Sequence, residues 1–186
     1  MLMTRIAALF LATALIFSPA GAAFARPLAG AEAEAMDKAL NSYLAAIGRN
    51  DAEKIVAAFP PRILNVFAGA TGIEAKKLTE TLVAQTAELM KGIKVGEVAA
   101  KPGPLEVTDT VLADGVPVVW GLVSTSFVSE TATGKARNNQ PLLAVSEGGA
   151  WYFLRVDGAE RRQLAALAYP FLAGVEIPDA VVTPLN

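Results

Sequence analysis

The chain has 186 residues, 16 Lys and Arg against 18 Asp and Glu, 53% apolar residues, and neither cysteine nor histidine. That is the length of one domain with ample apolar material for a core. The missing residue types exclude disulfides, a thiolate nucleophile, a Ser-His-Asp triad and any zinc, haem or iron–sulfur site built on His or Cys. A formal charge of −2 gives no basic footprint for nucleic acid.

Met1 to Arg5 carries a single positive charge, and Ile6 to Phe17 is an uncharged apolar run. Ser18, Pro19 and Gly21 then break any helix, and Ala23-Phe24-Ala25 supplies a small-x-small cleavage pattern. This predicts a signal peptide over residues 1–25, cut after Ala25 or, as the alternative, after Ala22. The apolar run is shorter than the roughly 20 residues that span a bilayer, and no cysteine is available to carry acyl chains. The expected mature protein is a single soluble domain over 26–186, in the periplasm or outside the cell, with no membrane insertion after processing.

Met36, Leu40, Leu44 and Ile47 recur at helical steps and predict a first helix over 31–47, with Tyr43 at the edge of the stripe and Gly48 as its stop. Asn50 and Glu53 have capping-box spacing and open a short helix closed by Pro60-Pro61. Arg62 to Ala68 reads either as another helical turn or as a short strand. Gly69 to Gly72 reads as a turn. Thr71 and Glu74 repeat the capping-box spacing ahead of a third helix, which ends near Lys91 and carries Leu78, Leu82, Gln85 and Leu89 on one stripe.

After Gly92 the pattern changes to strands at 93–100, 105–112, 116–128, 140–147 and 150–156, with a polar stretch at 129–139 taken as a solvated hairpin tip. A final helix is expected at 159–168, within a tail that begins near 157. Helices followed by an antiparallel meander mean an α+β fold: three N-terminal helices packed on a curved antiparallel sheet, plus a short C-terminal helix. Residues 116–123 are apolar on both strand faces, so the second face needs a cover, either the C-terminal helix or a second copy of the chain in a homodimer.

Four pieces carry a family resemblance: Ile47-Gly48-Arg49-Asn50-Asp51-Ala52, the Phe59-Pro60 stop, the Gly-rich turn before the third helix, and the hairpin from Leu142 to Phe153 with its Trp151-Tyr152-Phe153. Over roughly residues 31–156 the chain resembles the NTF2-like superfamily of cone-shaped α+β domains, which includes SnoaL-type cyclases and ketosteroid isomerases, and within it the exported members. The resemblance implies a pocket between the concave face of the sheet and the helices, and frequent dimerisation through the outer face. It implies no function by itself, because the scaffold hosts enzymes and binders alike. The dehydratase branch relies on a histidine that this chain lacks.

Acid–base chemistry is the catalytic class the composition leaves open, since an apolar cavity raises a carboxylate's pKa towards neutrality. Glu97, Glu106 and Asp109 lie in predicted strands. Asp109 shares a face with Leu105, Val107 and Val111, and reads either as an inward-pointing base or as an exposed edge residue. Trp120, Ser124 and Ser126 alternate along one face, as a pocket wall or as core with a fraying strand end. Trp151 joins Phe153 on one face of the last strand, as core or as part of a ligand cage. The predicted pocket residues are therefore Tyr43, Trp120, Ser124, Ser126 and Trp151. No pattern for a metal or cofactor is present. The expected function is non-catalytic binding of a small apolar molecule or a protein partner. The alternative is a cofactor-free isomerase, cyclase or dehydratase working through a buried carboxylate.

Overall fold

The computed structural model describes residues 25–101 and 103–185. The predicted signal peptide, up to Phe24, lies outside the described residues. From Ala25 the order is β1 (Ala25–Pro27), α1 (Gly30–Gly48), α2 (Ala52–Ala57), α3 (Pro61–Thr71) and α4 (Ala75–Met90). Then follow β2 (Lys94–Ala100), β3 (Glu106–Val111), β4 (Pro117–Thr131), β5 (Gly134–Glu147) and β6 (Ala150–Arg155). The chain ends with α5 (Ala159–Ala168), a 3₁₀ segment (Pro170–Gly174) and β7 (Val181–Leu185). The fold is α+β, with the seven strands in one curved antiparallel sheet that does not close.

Four helices, not three, precede the main strands. Arg62 to Ala68 resolves as helix because Pro61 takes the first helical position, where its fixed φ is preorganised and its missing N–H costs nothing. Gly69 accordingly sits inside α3, and Gly72, at φ 66°, supplies the left-handed residue that ends it. The Thr71 hydroxyl donates back to the Phe67 carbonyl at 2.7 Å instead of capping α4. The first corner also differs from its prediction. Asp51, not Asn50, caps α2 by accepting from the Lys54 N–H at 3.1 Å.

The sheet is built on one long hairpin. β4 and β5 pair without a break from Val118–Glu147 to Thr131–Gly134. The stretch 129–139, expected to be a loop tip, is therefore mostly strand, and only Ala132 and Thr133 lie between β4 and β5. Each edge of the hairpin carries two strands in tandem. β4 pairs with β3 at one end and with β2 at the other, and β1 adds to β3. β5 pairs with β6 over residues 142–147 and with β7 over 135–139. Pro141 falls between those two partners, where neither asks for an N–H it lacks.

Both faces of the hairpin are buried. On the concave face, Met36, Leu40, Tyr43 and Leu44 of α1 meet Val123, Leu142, Ala144, Trp151 and Phe153. On the other, Leu143, Val145, Leu154 and Val156 meet Ala165, Tyr169 and Leu172. The doubly apolar run at 116–123 is thus covered on its second face by the C-terminal segment of the same chain. Arg62 and Tyr169 both bond Glu147, at 3.0 Å each, and so tie α3 and the C-terminal segment to the end of β5. Among the described residues no helix is long and apolar enough to cross a membrane.

Candidate functional site

A cavity of about 540 Å³ lies between the four N-terminal helices and the concave face of the sheet and reaches round the edge of β6 to Leu154 and to Arg161 and Leu164 of α5, within the roughly 300–1,000 Å³ usual for small-molecule sites. The hairpin register sets which sheet residues reach it. Phe127 pairs with Asn138 and Thr125 with Gln140, and pairs directly opposite one another share a face. Phe127, Ser129, Asn138 and Gln140 therefore form its floor. Its walls come from Tyr43 and Ile47 of α1, Phe59 after α2, Ile63 and Phe67 of α3, and Leu82 and Met90 of α4.

Helix α4 explains why the space stays open. Its stripe of Leu78, Leu82 and Leu89 has the spacing of a core-facing side, yet only Leu78 is buried and Leu89 is 76% exposed. Leu82 and Leu89 line the cavity without being buried. The floor supplies the polar groups. Gln140 is only 7% exposed and Tyr43 only 4%, yet among the described residues neither the Gln140 amide nor the Tyr43 hydroxyl has a hydrogen-bond partner. No polar side-chain atom there is both fully enclosed and unpartnered, so both groups keep contact with the cavity space. Beside them Asn138 donates to the Ser129 hydroxyl at 2.9 Å.

Among the described residues, two charged side chains line this cavity, Arg155 and Arg161, and both are cations. Arg155 pairs across the sheet with Leu142, two residues along from Gln140 on the same face, and lies two residues beyond Phe153. Phe153 in turn stacks on Tyr43 with ring centroids 5.3 Å apart. The register thus gathers Tyr43, Gln140 and Arg155 at one corner. Burial pushes the Tyr43 hydroxyl up to about 12, with Arg155 pulling the other way, so at neutral pH it is an uncharged donor. Arg155 holds Asp157 through Nε at 3.1 Å and Nη2 at 2.9 Å, and Arg161 reaches the same carboxylate at 3.3 Å. Burial alone would raise Asp157, but these cations outweigh it and hold the carboxyl below its ordinary range.

The predicted site residues fall in several places. Tyr43 lines the cavity. Trp151 lies on the same side of the sheet but inside the packed core, 8% exposed. Trp120, Ser124 and Ser126 occupy the opposite face. Trp120 stacks on Phe171 with centroids 5.0 Å apart and donates its indole N–H to Thr110 at 3.2 Å. Ser124 and Ser126 border a separate hollow of about 500 Å³ beside Pro178 and Val181. The structure does not bring these three together with Tyr43.

The carboxylates are elsewhere too. Asp109 is half exposed and takes a two-point bond from Arg26, at 2.6 and 3.0 Å. Arg26 pairs in register with Val107, which makes Asp109 its diagonal neighbour, and it also holds Glu32 at 2.8 Å. The guanidinium draws the Asp109 carboxyl below its ordinary range, opposite to what a general base at neutral pH needs. Glu97 stands at φ 50° in the irregular part of β2, bonded to Arg137. It borders a wide cleft of about 1200 Å³ between α1 and β2, and Glu106 is exposed. Among the described residues no group of acidic side chains could hold a metal ion.

Reading the sequence missed the floor. Asn138 and Gln140 continue, two by two, the inward phase of Leu142 and Ala144, and that phase was the available signal. Compared with family models, with curated proteins and with solved structures, the chain matches none.

Proposed function

We propose that this protein is an exported, non-catalytic binder of a small, mainly apolar molecule held between the helices and the concave face of the sheet, in the manner of an NTF2-like cone. The observation that carries this reading is an open, apolar cavity into which two polar groups of largely buried residues, the Gln140 amide and the Tyr43 hydroxyl, face without a partner among the described residues. Groups that face a cavity with hydrogen-bonding capacity unused by the protein can pair with a ligand, at the price of the ligand's own desolvation. Acid–base catalysis finds less support, because among the described residues no carboxylate lines this cavity.

Native mass spectrometry of protein purified from its host without detergent should show a retained small molecule on a chain that begins at Arg26. With ligand-stripped protein, the neutral apolar dye Nile red should bind with a rise in fluorescence. Leu82→Arg, on the lightly packed α4, should abolish that rise while thermal unfolding stays unchanged. A stripped protein that leaves Nile red dark, and that carries nothing from its host, would refute the reading.

A further inference from the structure

We propose that the polar corner of the cavity receives the carboxylate of a monocarboxylic acid whose apolar body fills the remaining space. This rests on the binding reading above and adds the chemistry of the ligand's head. Tyr43, Gln140 and Arg155 converge there through the register of β5 with β6 and the Tyr43–Phe153 stack. They offer a hydroxyl, an amide NH₂ and a guanidinium, all able to donate to a carboxylate.

The charges favour an anion of one unit. Asp157 neutralises one of the two arginines, so Arg155, Arg161 and Asp157 together leave a single positive charge at the mouth. Asp157 occupies Nε and Nη2 of Arg155, which leaves Nη1 without a partner among the described residues. Arg161 uses Nη1 alone. A doubly charged phosphate would exceed this balance. An ammonium head would meet that net positive charge, with the Asp157 carboxylate already engaged by both arginines.

Calorimetric titration of ligand-stripped protein with dodecanoate, dodecanol and dodecylammonium, at neutral pH and below their aggregation limits, tests the assignment. Dodecanoate should bind at least ten-fold more tightly than either of the others. Gln140→Leu and Tyr43→Phe should each weaken dodecanoate several-fold without weakening dodecanol, and both proteins should unfold at the wild-type temperature. Dodecanol binding as tightly as dodecanoate would overturn the carboxylate assignment and leave the binding reading intact. Failure of all three probes, together with a negative Nile red result, would overturn both.

Discussion

Trp120 and Phe171 lie stacked, ring centroids 5.0 Å apart and planes 25° apart, on the face of the sheet opposite the one that meets α1. The contact joins the middle of β4 to the 3₁₀ segment near the end of the chain. It makes the C-terminal segment part of the core, since Tyr169 and Leu172 on either side of Phe171 are 0% and 4% exposed.

Phe171→Ala should therefore uncover Trp120. Phe171 is half buried, so the expected loss is about 1–3 kcal/mol, below the roughly 3–5 kcal/mol of a fully buried phenylalanine. Trp151, the other tryptophan, is packed on the opposite face. Native-state emission should shift to the red from Trp120 alone, and urea denaturation should show a lower midpoint. Unchanged emission would mean that Phe171 does not shield the indole.

Asn50 makes a second join. Its backbone is left-handed, at φ 54°, and its amide donates to the Ile93 carbonyl at 2.9 Å and to the Met90 carbonyl at 3.4 Å. One residue thus turns the corner after α1 and ties it to the end of α4. Asn50→Gly keeps the backbone freedom and loses the bonds; Asn50→Ala loses both. The alanine variant should lose about 2 kcal/mol and the glycine variant about half of that, by chemical denaturation. Equal losses would show that the backbone conformation contributes nothing.

Those two residues also mark what sequence reading reaches. The helical stripes of α1 and α4, the α+β order and the Gly148-Gly149 hairpin follow from local periodicity and turn chemistry, which a single segment carries within itself. Asn50 looked like a cap because its spacing to Glu53 suits one. Its actual partners are 40 and 43 residues away, and no local pattern encodes them. The same limit hid the cavity floor. The polar residues at 129–139 read as a loop tip in isolation; 130–135 and 139 are exposed, but β7 pairs with 135–139 and β2 with the opposite side of the hairpin, which makes this stretch strand and half-buries 136–138. Alternation alone leaves Asp109 open between an inward base and an exposed edge residue, and it is the exposed one. What sets its role is Arg26, brought alongside by a three-residue strand too short to read.

Gly121 marks the tightest approach on that edge of β4. A Cβ there would stand 2.7 Å from the Glu106 carbonyl oxygen and 3.3 Å from a Val107 methyl. The nearer contact is backbone and cannot swing aside as a side chain would. Gly121→Ala should displace β3 and cost about 1–3 kcal/mol. Amide hydrogen exchange should accelerate in residues 106–111 before it does in β6. A variant with unchanged stability and exchange would mean that β3 shifts freely.

Asp157 gives the cavity mouth a pH signature. Its folded-state carboxyl lies below the ordinary value of about 3.9 because Arg155 and Arg161 outweigh its burial. The unfolded chain consequently binds that proton more readily than the folded one. The stabilisation is complete above the ordinary value and is lost as the pH falls through the folded one. Asp157→Asn removes this contribution, so its urea midpoint should trail the wild type at pH 6, and the gap should narrow by pH 3. The same substitution raises the positive charge at the mouth, so dodecanoate should bind at least as tightly as before while the fold is weaker. A midpoint gap as wide at pH 3 as at pH 6 would assign the loss to packing, and the ion pair would then contribute nothing to stability.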